Sequence, residues 1–124
     1  MAELELAGTR VFLVEDEALV TMLFEDALAD LGCATVEVAS RLADALVKAQ
    51  SLTFDVAILD VNLNGERTYA IAETLLARQL PFVFATGYAN DSLPAPFQTV
   101  PIVHKPFRPS DLERALSAAI NAKS

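Results

Sequence analysis

Glu15 and Asp16 follow the apolar run Arg10-Val11-Phe12-Leu13-Val14, and Asp60 follows Val56-Ala57-Ile58-Leu59. Thr86 follows Phe82-Val83-Phe84-Ala85, and Lys105 follows Ile102-Val103-His104. Each of these polar stations stands where a strand-like run stops. In an open parallel sheet the C-terminal ends of the strands share one edge, and ligands bind in the crevice there. Three carboxylates, a hydroxyl and an ammonium group would meet on that edge. Such a set suits phosphoryl transfer to a carboxylate beside a divalent cation.

The charges explain why a cation is required. Glu15, Asp16 and Asp60 oppose the single positive charge of Lys105, and a phosphoryl donor is itself an anion. At about 4 Å and an effective dielectric of about 20, each like-charge pair costs about 4 kcal/mol. Oxygen-only ligands at an open aqueous edge favour Mg²⁺, with Mn²⁺ as the substitute. Asp60 is the expected nucleophile, because it ends the most uniformly apolar strand and a turn containing Gly65 follows it. A carboxylate that attacks phosphorus yields an acyl phosphate. Thr86 can donate a hydroxyl hydrogen bond to a phosphoryl oxygen, and Lys105 can pair with the same group.

The elements that must position these groups alternate in type. Strands are expected at Arg10–Val14, Ala34–Ala39, Asp55–Leu59, Phe82–Ala85 and Val100–His104, the second as an edge strand with one wet face. A helix from Ala18 to Leu31 carries Leu19, Leu23, Ala27 and Leu31 on one stripe with Val20, Phe24 and Leu28 beside it, and Gly32 stops it. Ser40 is expected to cap a helix to Gln50. Asn62 to Gly65 makes a turn before a helix over Arg67–Gln79. Ser110 and Glu113 fit a capping box for a last helix to Ala122. Pro94 and Pro96 break the segment between Tyr88 and Val100, since an interior proline costs a helix about 3 kcal/mol. The fourth helix is therefore expected to be short or irregular. Alternating strands and helices imply an α/β fold, a doubly wound parallel sheet covered on both faces.

The 124 residues fit one domain. With 53% hydrophobic and 21% charged residues, the chain can build a substantial core and is not expected to be disordered. No apolar run reaches the roughly 18 residues of a membrane span. The acidic start lacks the pattern of a signal peptide, so a cytoplasmic protein is expected. The one cysteine, Cys33, gives neither a disulfide nor a thiolate metal site. A net charge of −8 argues against direct nucleic-acid binding, which needs lysine and arginine to displace counterions.

Four motifs together resemble the receiver domains of bacterial two-component response regulators. They are Val14-Glu15-Asp16-Glu17, Leu59-Asp60-Val61-Asn62-Leu63, Thr86-Gly87 and His104-Lys105-Pro106-Phe107, and the likeness runs from about Thr9 to Ala122. The resemblance implies a flavodoxin-like five-stranded parallel sheet in order 2-1-3-4-5 with five helices. One receiver domain is expected over residues 1–124, with residues 1–8 as an N-terminal extension and no output domain. The resemblance further implies Asp60 as phosphoacceptor, and Asp16, Asp60 and the Asn62 carbonyl as direct Mg²⁺ ligands, with Glu15 reaching the ion through water. Thr86 and Lys105 would contact the phosphoryl group, and the bond before Pro106 would be cis.

Phe84-Ala85-Thr86-Gly87-Tyr88 also resembles a subgroup of single-domain receivers with a Phe-Ala-Thr-Gly stretch. The chain departs from the commoner pattern at Ile102, where most receivers carry an aromatic switch residue, and at Asn64, where many have proline. Tyr88 is the nominated replacement switch. Phosphorylation is expected to draw Thr86 inward and reorder Tyr88 to Thr99. Asn62 and Tyr88 are expected to tune phosphoryl lifetime, which dephosphorylation rates of their alanine variants would read. His104, in a strand, is expected to be structural rather than a phosphodonor.

The family implies a signalling module rather than an enzyme, fed by a histidine kinase or a histidine phosphotransfer protein and acting through protein–protein binding. A phosphate sink or relay without its own effector is the variant of this account. A Mg²⁺-dependent aspartyl-phosphate phosphohydrolase is the enzymatic alternative. It needs an acid two residues after the nucleophile, where this chain has Asn62. A flavin carrier would need a phosphate loop where Glu15-Asp16-Glu17 stands.

Overall fold

The computed structural model describes residues 6–87 and 93–123. Among the described residues there are seven strands: β1 (Arg10–Val14), β2 (Ala34–Ala39), β3 (Val56–Asp60), β4 (Asn62–Leu63), β5 (Glu66–Arg67), β6 (Phe82–Thr86) and β7 (Ile102–His104). The helices are α1 (Ala18–Asp30), α2 (Leu42–Ser51), α3 (Tyr69–Ala77) and α4 (Pro109–Lys123). Five strands form one parallel sheet in order β2-β1-β3-β6-β7. Without the small β4–β5 hairpin, this is the flavodoxin-like order 2-1-3-4-5 expected from the motifs. Between β6 and β7 the described chain forms a single 3₁₀ turn, Ala95–Phe97, where the prolines forbid a longer helix.

Alternation along the strands divides the core. Val11, Leu13, Val56, Ile58, Val83, Ala85 and Val103 pack under α1 and α4. Phe12, Val14, Ala57, Leu59, Phe82 and Phe84 pack under α2 and α3. Both faces of β3 are covered and every residue in it is buried, which is why its sequence reads as an unbroken apolar run. Phe97 from the 3₁₀ turn closes the second core, stacked on Tyr69 with ring centroids 5.7 Å apart and edge-on to Phe84 at 5.6 Å.

Several local expectations are corrected. The buried stripe of α1 is Phe24, Ala27 and Leu28, whereas Leu19 is 76% exposed and Leu23 58% exposed. Phe107 sets this rotation, stacking on Phe24 with centroids 4.4 Å apart. The alternation of β2 is broken by a register shift opposite Val11 and Phe12, which skips Val36 and leaves it exposed. Ser40 does not cap α2: Arg41 is the N-cap residue, without a side-chain capping bond. The capping box Ser110–Glu113 is also displaced. Pro109 opens α4 and Asp111 reaches back to the Arg108 N–H at 3.1 Å. The helix expected from Arg67 starts at Tyr69, because Arg67 pairs with Asn62 in the hairpin. The last strand, expected from Val100, begins at Ile102. Cys33 is buried just before β2, its Sγ donating to the Leu6 carbonyl at 3.6 Å.

Candidate functional site

The period-two geometry of strands decides which side chains meet. Val11 and Leu13, Val56 and Ile58, and Val103 face the α1–α4 core. Glu15, Asp60 and Lys105 lie two residues further on in each case, and so fall on that same side at the C-terminal edge. The Lys105 ammonium donates to Glu15 Oε1 at 3.1 Å and to Asp60 Oδ2 at 3.1 Å. Glu15, Asp16 and Asp60 each offer a carboxylate oxygen within 4.8 Å of the others.

Backbone amides fix one oxygen of each carboxylate. Asp60 Oδ1 accepts from the Asn62 N–H at 3.2 Å, Glu15 Oε2 from the Glu17 N–H at 3.1 Å, and Asp16 Oδ2 from the Asn64 N–H at 3.1 Å. Thr86 ends β6 and is buried. Its carbonyl accepts from the Lys105 N–H at 2.7 Å, which locks the ends of β6 and β7 together. Asp16, Glu17, Asp60, Asn62, Thr86, Gly87 and Lys105 line one cavity of about 400 Å³. Glu15 sits behind it, 1% exposed. A hollow of about 410 Å³ at the opposite ends of β6 and β7 is lined by Leu76, Phe82, Pro101 and Ala119 among others, and none of its described lining residues is an acid or a base.

Burial and crowding shape the titration. Burial pushes the Glu15 carboxyl up to about 7, and the nearby Asp60 charge adds to the rise; the Glu17 N–H and Lys105 offset part of it. Burial also raises Asp60, against the opposing pull of Lys105 and the Asn62 N–H. For Lys105, burial disfavours the charge, but Asp60 and Glu15 outweigh it and hold the ammonium above its ordinary value. One lysine thus shares two carboxylates that repel each other, and the cluster gains from any further positive charge.

The structure therefore brings together Glu15, Asp16, Asp60, Asn62, Thr86 and Lys105. The Lys105–Pro106 peptide bond is cis. Tyr88, and with it part of the segment expected to reorder, lies outside the described residues. Ile102, at the usual switch position, is 36% exposed. His104 is exposed in β7 and does not line the cavity.

A family model described as response regulator receiver domain matches residues 11–117. The chain belongs to this receiver family. SdrG from Sphingomonas melonis Fr1 is 41% identical, with a TM-score of 0.82, and the match covers 91% of this chain and 97% of that one. The BeF3-activated conformation of SdrG from Pseudomonas melonis Fr1, also 41% identical, superposes with a TM-score of 0.77 over 92% of this chain and 98% of the other. PhyR from Brucella abortus is 26% identical with a TM-score of 0.78; the match covers 94% of this receiver but 49% of that protein. No protein of curated function matches significantly. Among the described residues, no helix is long and apolar enough to cross a membrane.

Two residues of this receiver escaped the sequence reading. Thr68 is fully buried and its hydroxyl donates to the Asp60 carbonyl at 2.6 Å, fixing the strand end that carries the carboxylate. Its position after a two-stranded hairpin gave no periodic signal. Asn64 was read as a missing proline and a turn residue. The Asn-Gly pair, a strong signal for a two-residue hairpin, was the available clue.

Proposed function

We propose that this receiver accepts a phosphoryl group from phosphohistidine onto Asp60 and signals through the binding of a partner protein. The observation that carries the reading is the cluster of Glu15, Asp16 and Asp60 at one open cavity, with Lys105 bonded to Glu15 and Asp60. The donor set is all oxygen and carries an excess of negative charge, which fits Mg²⁺ or Mn²⁺. Asp16, Asp60 and the Asn62 carbonyl would hold the ion directly and Glu15 through water. When bound, the cation offsets the negative charge of the incoming group and the carboxylates. Asp60 attacks phosphorus: a P–O bond forms, the P–N bond breaks, and the imidazole nitrogen leaves with the electron pair. Lys105 pairs with the transferred group and Thr86 donates to one of its oxygens. The Phe84-Ala85-Thr86-Gly87 stretch supports placing the chain in the Phe-Ala-Thr-Gly subgroup. SdrG, solved in a BeF3-activated conformation, supports the same switching chemistry.

The test uses the full chain and a small phosphodonor such as acetyl phosphate, with intact-mass detection. One phosphoryl group is expected to add when Mg²⁺ is present, and none after chelation by EDTA. Labelling that is equal in both conditions would remove the cation from the account. Rapid multiple turnover of a simple phosphate ester would move it to the phosphohydrolase class.

The donor protein has a surface to dock on. Leu19, Met22 and Leu23 are exposed on α1, the helix that leaves the site directly after Glu17. Leu23 and Val20 border a mainly apolar groove with Pro106, Phe107 and Pro109, beyond Lys105, and Asp26 and Asp30 stand in its wall. An apolar strip beside a polar cavity suits a histidine kinase or histidine phosphotransfer protein that presents its phosphohistidine to the opening. Leu23→Glu is expected to slow transfer from a phosphohistidine protein by about tenfold or more, with acetyl phosphate labelling unchanged. If both rates fall together, the strip has no docking role.

A further inference from the structure

The hairpin after Asp60 is tied to two other loops through one residue. Leu63 pairs with Glu66, which leaves Asn64 and Gly65 as a two-residue connection. Both have positive φ, 54° and 85°, the pattern of a type I′ turn. Asparagine tolerates this region better than other side chains. The turn aims the Asn64 N–H at Asp16 Oδ2, 3.1 Å away, while Asn64 Nδ2 donates to the Ser40 carbonyl at 3.0 Å. Asn62 Oδ1 accepts from the Gly65 N–H at 2.8 Å and stiffens the same turn. The loop after β1, the loop after β2 and the hairpin after β3 thus meet at Asn64.

We infer that Asn64 is a positioning residue for the metal site: its backbone N–H orients the Asp16 carboxylate, and its side chain anchors the turn to Ser40. The inference rests on the Mg²⁺ reading proposed above. A carboxylate with one oxygen held by an amide has fewer orientations to lose when the other binds a cation. Partners that orient a metal ligand change affinity when removed, commonly by about 10-fold to 100-fold. A proline at this position would have no N–H and a φ near −65°, so the device depends on asparagine with glycine after it.

Mg²⁺ titration of the full chain, followed by amide NMR shifts, tests this. Asn64→Gly keeps the left-handed turn and the N–H but removes the anchor. Asn64→Asp keeps the turn, sets a carboxylate against the Ser40 carbonyl, and adds a negative charge that would by itself tighten cation binding. Both are expected to bind Mg²⁺ about tenfold more weakly than wild type, while the rest of the metal-free spectrum stays the same. Wild-type affinity in Asn64→Gly would overturn the role of Asn64 and leave the metal reading standing. A wild type that gives no response to Mg²⁺ would overturn both.

Discussion

Asp60→Asn is expected to abolish phosphoryl uptake from any donor, down to the detection limit of intact-mass analysis, while the protein stays folded. The amide is nearly the same size but has no anionic oxygen to attack phosphorus. Among the described residues, the two other carboxylates of the cluster are already held. Glu15 lies behind the cavity, with one oxygen on Lys105 and the other on the Glu17 N–H. Asp16 has an oxygen on the Asn64 N–H. Folding survives because burial already raises the Asp60 carboxyl, so the charge is a liability to the metal-free protein. Removing it also relieves the repulsion that raises Glu15. The variant is therefore expected to be at least as stable as wild type at pH 8 without Mg²⁺. Label retained at the wild-type level would mean that another residue is the acceptor.

The parts of this site that were legible in the sequence share one property: each follows from a pattern that a single strand carries. Val56-Ala57-Ile58-Leu59 announces a strand covered on both faces, and the polar residue after it must then sit at the sheet edge. Repeating that inference at Glu15, Thr86 and Lys105 gave the convergence without knowledge of any distance. What was illegible depends on contacts between elements. Leu19, Val20, Leu23, Phe24, Ala27 and Leu28 spread over about half the circumference of α1, so the period fits two rotations. Phe107, remote in sequence, selects one by stacking on Phe24. The exposed alternative stripe then becomes a surface.

The hairpin was missed for a different reason. Strands of two residues, Asn62–Leu63 and Glu66–Arg67, are too short to show alternation, and only the Asn-Gly turn betrays them. The register shift near Val36 left no mark in composition. The displaced caps follow from chemistry that was present in the sequence. Proline is favoured at the first helical position, so Pro109 outcompetes Ser110 as the start of α4, and Asp111 reaches back to Arg108.

Lys105→Ala is expected to destabilise the metal-free protein strongly at pH 8 and weakly at pH 5. The ammonium stands 3.1 Å from both Glu15 and Asp60, with side-chain exposures of 15%, 0% and 7% respectively, so water can do little to replace it. Removing one partner from a buried ionic group costs about 3–5 kcal/mol, a large part of the roughly 5–15 kcal/mol that holds a domain together. The pH dependence follows from the sign of the carboxyl shifts. Glu15 rises from 4.5 to about 7 on folding, so the folded state binds the extra proton. Its contribution to stability is full below about 4.5 and is lost as pH rises through about 7. Without Lys105 both carboxyls lose the charge that held them down; at pH 5 a proton neutralises Glu15, and at pH 8 the carboxylate charges that remain repel. Urea denaturation at the two pH values measures the difference. Added Mg²⁺ should stabilise the variant more than the wild type, because its site is more negative and ligand binding stabilises the folded state in proportion to affinity. Equal losses at pH 5 and pH 8 would show that Lys105 acts through packing of its alkyl chain rather than through its charge.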